Sequence, residues 1–140
     1  VRNEPPLGFF RQFVLQGEGS HADSIDLKLN ALILISDMAR VFALQHGIKS
    51  SNTIERLTQA ASTNSLSQEG SDNLIDAWEM INSMRLSNQV KQIINNEEVD
   101  NFLTPEHLSS LERNHLKDCF SVIRTIQKAL EQRSQAGRFI

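Results

Sequence analysis

From Lys28 to His46 the chain is apolar almost all the way round a helix, with Leu32, Ile33, Leu34, Ile35, Met38, Val41, Phe42 and Leu44 leaving only a narrow polar side at Asp37 and Arg40. A surface helix buries one apolar stripe, so a segment this apolar needs neighbours on several sides. A membrane is the wrong neighbour. A spanning helix takes about 20 largely uncharged residues, and Lys28, Asp37 and Arg40 interrupt this one. The middle of a helical bundle remains, and Gly47 stands where a left-handed C-cap would close the helix.

The rest of the sequence supplies partners of the same kind. Three prolines and six glycines in 140 residues, with no repeats or low-complexity tracts, favour helix. Asn52 with Glu55 three residues on is a capping box, and Ile54, Leu57, Ala60 and Ala61 follow on one face. A further start signal lies between Ser65 and Ser71, opening a long helix through Trp78 to about Ile94. "NNEEVDNFLTPEHLSS" is a loop in which Thr104-Pro105 begins a turn. Ser109 and Glu112 then form another capping box before a last helix with Leu108, Leu111, Leu116, Cys119, Phe120, Ile123, Ile126 and Leu130 inward.

The expected fold is therefore all-α, an up-and-down four-helix bundle with an extended N-terminal segment. That segment, "NEPPLGFFRQFVLQGEG", combines helix breakers with a β-prone run from Phe9 to Leu15, and "DSIDLK" is the stretch it would pair with. Residues 1–25 are the lead-in, 26–134 the bundle and 135–140 a frayed tail. At this length one core is expected. The sequence opens at Val1 without a methionine or a signal-like apolar run, so it reads as a fragment of a larger protein.

Charge and cysteine content narrow the function classes. A net charge of -3 with 22% charged residues gives neither a basic nucleic-acid surface nor a disordered chain. Cys119 is the sole cysteine, which excludes an internal disulfide and makes the cytoplasm the default compartment.

The third helix contains an anomaly. Leu74, Ala77, Trp78, Ile81 and Met84 define a core-facing stripe at three- and four-residue steps, and its continuation is Arg85, Asn88, Gln89 and Gln92. On the last helix Glu112 projects near the middle of the apolar face, while Arg113, Lys117 and Arg124 form a ridge along its flank. Two readings are open: a polar cleft at one end of the bundle that receives a charged ligand, or structural pairs such as Arg40 or Arg56 with Glu112.

Self-contained catalysis has no visible machinery. Asp23 and Asp26 follow Gly19-Ser20 too closely, and at the wrong mutual spacing, for two-metal nucleotidyl transfer. His21, His46, His107 and His115 have no ligand spacing, Cys119 lies on a core face, and no glycine-rich phosphate loop occurs.

Taken in order, "PLGFFRQFVLQGEG", "IDLKLNALILISDMARVFALQHGI", "NTIERL", "MRLSNQ" and "LSSLERNHLKDCFSVIRTIQKALEQR" resemble the nucleotidyltransferase substrate-binding domain family. The resemblance runs from Pro6 to about Arg133. It implies a helical domain, inactive alone, that closes over an N-terminal nucleotidyltransferase domain of the same chain and helps hold the nucleotide or a protein or small-molecule acceptor. Cyclic-nucleotide-binding and CBS modules often precede that catalytic domain in bacterial members, so a module relaying their signals is the alternative. Carried onto this sequence, the family's polar positions are Asp26, Lys28, Arg40, Asn52, Thr53, Arg56, Arg85, Gln89, Glu112, Arg113 and Lys117. Of these, Asp26, Lys28, Arg40, Arg56, Arg85, Gln89, Glu112, Arg113 and Lys117 are the candidate substrate-binding residues. No cofactor is expected in this fragment, while magnesium and a nucleoside triphosphate are expected for the full-length enzyme; a homodimer stays open. The chain departs from the family pattern at Asn30-Ala31, where glycine is common, and at Thr104, where an acidic residue commonly precedes the proline.

Overall fold

The computed structural model describes residues 23–138, with side chains to Arg133. The expected extended lead-in lies outside the described residues as far as residue 22. The described chain is all-α apart from a two-stranded antiparallel ribbon, β1 (Ile25–Asp26) paired with β2 (Phe102–Leu103) in the register Ile25 with Leu103 and Asp26 with Phe102. A π-helical turn (Lys28–Leu32) leads into α1 (Ile33–His46). Then come α2 (Thr53–Ala60), α3 (Gln68–Ile94), β2, a 3-10 turn (Pro105–His107) and α4 (Ser110–Arg138).

The helix boundaries arise from local hydrogen bonding. Gly47 ends α1 with φ +66°, a conformation glycine adopts without a Cβ penalty. Asn52 is extended and its side chain accepts from Glu55 N–H at 3.0 Å. The reciprocal half of this box is relayed: Glu55 Oε1 accepts from Ser50 Oγ at 2.8 Å, and Ser50 Oγ accepts from Asn52 N–H at 3.1 Å. Ser67 caps α3 by accepting from Gly70 N–H.

Consecutive helices pack on one another and α4 returns to touch α1, the neighbour pattern of an up-and-down four-helix bundle. Phe42, Ile35, Leu57, Leu74, Ile81, Leu116 and Phe120 form its centre. Ser71, fully buried, donates from Oγ to the carbonyl of Leu57 at 2.8 Å and so ties α3 to the end of α2.

Five expectations are corrected. The first helix winds as a π turn before Ile33, starting where Asp26 Oδ1 accepts from Leu29 N–H. It also does not occupy the middle of the bundle: Leu44 is 78% exposed, and Ile33 and Val41 lie near the surface as well. The segment after Ile94 is not wholly loop, because Phe102–Leu103 finds a strand partner in Ile25–Asp26 that lies far away in sequence. Leu111 faces solvent, being in the first, capped turn of α4. Lastly, α4 continues through Arg138, beyond the point at which its apolar pattern stops.

Candidate functional site

The polar half of α3 faces a strip of backbone. Asn88 Nδ2 donates to Phe102 O at 2.7 Å, Gln89 Nε2 to Asp100 O at 2.9 Å, and Gln92 Nε2 to Asp100 Oδ1 at 2.9 Å. Asp100 N–H returns a bond to Gln92 Oε1, while Arg85 Nε donates to Asn101 Oδ1 at 2.6 Å. On its other side the same strip receives Leu27 N–H on Asn101 O at 2.9 Å and pairs with β1. A segment wedged between a helix and a strand must satisfy its backbone groups inside the protein, which is why amides replace aliphatics along this part of α3. The helix is thereby inverted, for its outer face carries Leu86, Val90, Ile93 and Ile94, which are 46–72% exposed.

Arg85 also reaches a second environment. With Lys28, Leu32, Ile33, Ser36, Trp78 and Asn82 it lines an open cleft of about 250 Å³ between the π turn, α1 and α3. Among the described residues no carboxylate lines this cleft. Lys28 is exposed and has no partner among the described residues, and Arg85 spends only Nε on Asn101. Among the described residues no bond to its terminal N–H groups occurs, and a guanidinium can grip an anion with two parallel bonds.

The other candidate residues are spread over different faces. Asp26 caps the π turn through Leu29 N–H beside this cleft, and Gln89 shares Asn101 Oδ1 with Arg85 at 3.2 Å. Arg40 is on the surface, paired with Asp37 at 3.1 Å. Arg56 donates from Nε to Ser50 O at 2.7 Å, bracing the turn before α2. Arg113 donates to Leu108 O at 2.6 Å, and Lys117 is half-buried on α4; neither lines the cleft. The pairing of Arg40 or Arg56 with Glu112 does not occur.

Glu112 forms a reciprocal capping box instead. Its Oε1 accepts from Ser109 N–H at 2.9 Å, and its own N–H donates to Ser109 Oγ at 3.1 Å. The Ser109 backbone bond, then the Ser109 side-chain bond, and more weakly Lys91, hold its carboxyl below the usual range. Glu112 also lines a second cleft of about 320 Å³, together with Met80, Met84, Leu108, Lys91 and His107.

Trp78 packs on the core as its stripe predicts, but its place at the cleft and that of Asn82 escape the sequence reading, although with Arg85 they form an i, i+4, i+7 face that spacing alone displays. Asn101 had no signal, because its role depends on a loop packing against α3. Among the described residues no group of three or more His, Cys, Asp or Glu side chains is placed to hold a metal. Cys119 is buried, its Sγ 3.5 Å from Met80 Sδ, and burial pushes its thiol up to about 11. No described helix is long and apolar enough to cross a membrane.

A family model described as "Putative nucleotidyltransferase substrate binding domain" matches residues 1–134. No curated protein and no solved structure matches the chain.

Proposed function

This chain belongs to the putative nucleotidyltransferase substrate binding domain family, and from that premise we propose that it is the substrate-holding helical domain of a larger nucleotidyltransferase. In this reading Lys28 and Arg85 bind the anionic part of the nucleotide or acceptor, while Asp26 and Gln89 position them by fixing the π turn and Asn101. One observation carries it: two cations from different elements meet in an open cleft that, among the described residues, no carboxylate lines. Two like charges held close at an open cleft raise the local positive potential, which an anion entering the cleft lowers. Arg40, Arg56, Glu112, Arg113 and Lys117 line other surfaces, and this reading gives them no contact with the same ligand.

Catalysis is assigned to a separate domain outside this sequence. In this reading that domain also supplies the magnesium ligands, while Lys28 and Arg85 hold the anion at this domain's side of the complex. Titration calorimetry with tripolyphosphate tests the assignment: the chain should bind it, with no turnover of nucleoside triphosphates, and the double variant Lys28→Ala, Arg85→Ala should bind on the order of a hundredfold more weakly, about tenfold per charge-assisted contact. Unchanged affinity in the double variant would refute it.

The exposed ridge of Leu86, Val90, Ile93 and Ile94 favours a second reading, an interaction module that relays signals from regulatory modules to the catalytic domain. Changing Leu86 and Ile93 to Ser in the full-length protein separates the two. A relay loses regulation while anion affinity stays; a purely substrate-binding domain loses neither.

A further inference from the structure

The cleft beside Arg85 has two chemically different ends. Leu27 N–H and Arg85 Nε both bond to Asn101, which places Lys28 and Arg85 at the same end. From there the π turn and α1 lead toward Ser36 while α3 leads back toward Trp78, so the two walls run in opposite directions and the indole lies at the far end. Between Arg85 and Trp78 the helix rises roughly 10 Å at 1.5 Å per residue.

Half-buried Trp78 packs against the core and also borders the cleft, so part of its indole is covered by protein and part is open. Asn82 stands between the two ends and donates its Nδ2 to Trp78 O at 2.9 Å. That bond holds the amide on its own helix at the border of the cleft, and Leu32 and Ile33 add apolar lining from the π turn and α1. Phosphate or another small anion would use the cationic end and leave the indole, the amide and the apolar wall without a role.

We infer that the cleft binds a nucleotide, its base stacked at Trp78, its ribose beside Asn82 and its phosphates between Lys28 and Arg85. This rests on the reading that those two cations hold an anion, and adds that the anion carries an aromatic base. Stacking on a tryptophan tolerates any base, since each has a π face. The guanidinium and ammonium answer the phosphates at the other end. Asn101, by fixing Nε of Arg85, leaves the outer edge of the guanidinium turned to the ligand.

Trp78 is the only tryptophan in the chain, so its emission reports on the cleft directly. The unaltered chain is titrated with ATP and, at equal ionic strength, with tripolyphosphate. ATP should quench the emission and bind on the order of tenfold more tightly, the contribution of one stacked base. Calorimetry on Trp78→Leu, which keeps an apolar side chain against the core, should show ATP reduced to the tripolyphosphate level and tripolyphosphate unaffected. Equal affinities for the two probes in the unaltered chain overturn the nucleotide assignment and leave the anion reading intact, whether or not Trp78→Leu folds. Absence of binding by both probes, or binding that survives removal of Lys28 and Arg85, overturns the anion reading and this inference with it.

Discussion

Arg85 Nε donates to Asn101 Oδ1 at 2.6 Å, and through that bond a loop residue sets the direction of a cation on a helix. Asn101 also accepts from Gln89 and, on its backbone carbonyl, from Leu27, so it joins β1, the loop and α3 at one point. Replacing it by Ala should cost about 1.5–3 kcal/mol in urea unfolding, the range for a hydrogen bond involving a charged group. Asn101→Asp is more telling. A carboxylate there keeps the bond to Arg85 and should preserve stability, yet it neutralises the cation next to the cleft. Tripolyphosphate affinity should fall about tenfold with the melting temperature nearly unchanged; retained affinity would show that Arg85 is only a strut.

Ser71 is a different kind of tie. Its hydroxyl, buried in the core, caps the Leu57 carbonyl near the end of α2, where the Ala61 N–H bonds to Gln59 and Thr58 instead. Ser71→Ala removes the donor and leaves that carbonyl short of a partner in an apolar surround. Chemical denaturation should register a loss of about 1–3 kcal/mol, and α2, the shortest helix, should lose amide-exchange protection first.

How far the sequence displays this fold depends on how local each cause is. Gly47, Asn52 and Ser109 act within a few residues, and the spacing of Leu74, Ala77 and Ile81 needs only one helix, so all of these are legible. The polar run after Met84 is legible as an anomaly. Its cause is not, because the backbone that Asn88, Gln89 and Gln92 satisfy belongs to residues 100–102, which a chain-wise reading takes as plain loop. The same distance hides the Ile25–Leu103 pairing. Periodicity also misplaces α1: apolarity on every side marks a buried helix only when partners exist on every side, and here Leu44 and Val41 are left facing out. For the candidate site, Lys28 and Arg85 are visible as charges and spacing puts Arg85 on one face with Trp78, but nothing in the sequence shows that Lys28 shares their cleft.

Burial makes Cys119 a poor nucleophile. Its thiol is pushed up to about 11 by desolvation first, and then by Asp118 and Asp76. The folded-state value exceeds the unfolded one, so the folded chain holds its proton more tightly. This contribution to stability is complete below the unfolded value and disappears as pH rises through about 11. Iodoacetamide at pH 8 should label the native chain slowly and the urea-unfolded chain fast. Rapid native labelling would mean that the α3–α4 contact around Met80 opens readily.

The Ser109–Glu112 box makes an acid-side prediction with the opposite sign. Glu112 is held below its ordinary value chiefly by the Ser109 N–H. Its carboxylate therefore favours the folded state above the unfolded-state value, and the effect is lost as pH falls through the depressed folded value. Protonation weakens acceptance from Ser109 N–H, and in Glu112→Gln the neutral amide, which still accepts, should flatten the acid limb of the stability curve without changing the value near neutrality by much. Ser109→Ala removes the other half and should cost about 1 kcal/mol at every pH. If α4 instead owes its start to the packing of Leu108 and Leu116 alone, both variants will melt with the unaltered chain across the whole range, and the box will be a consequence of the helix rather than one of its causes.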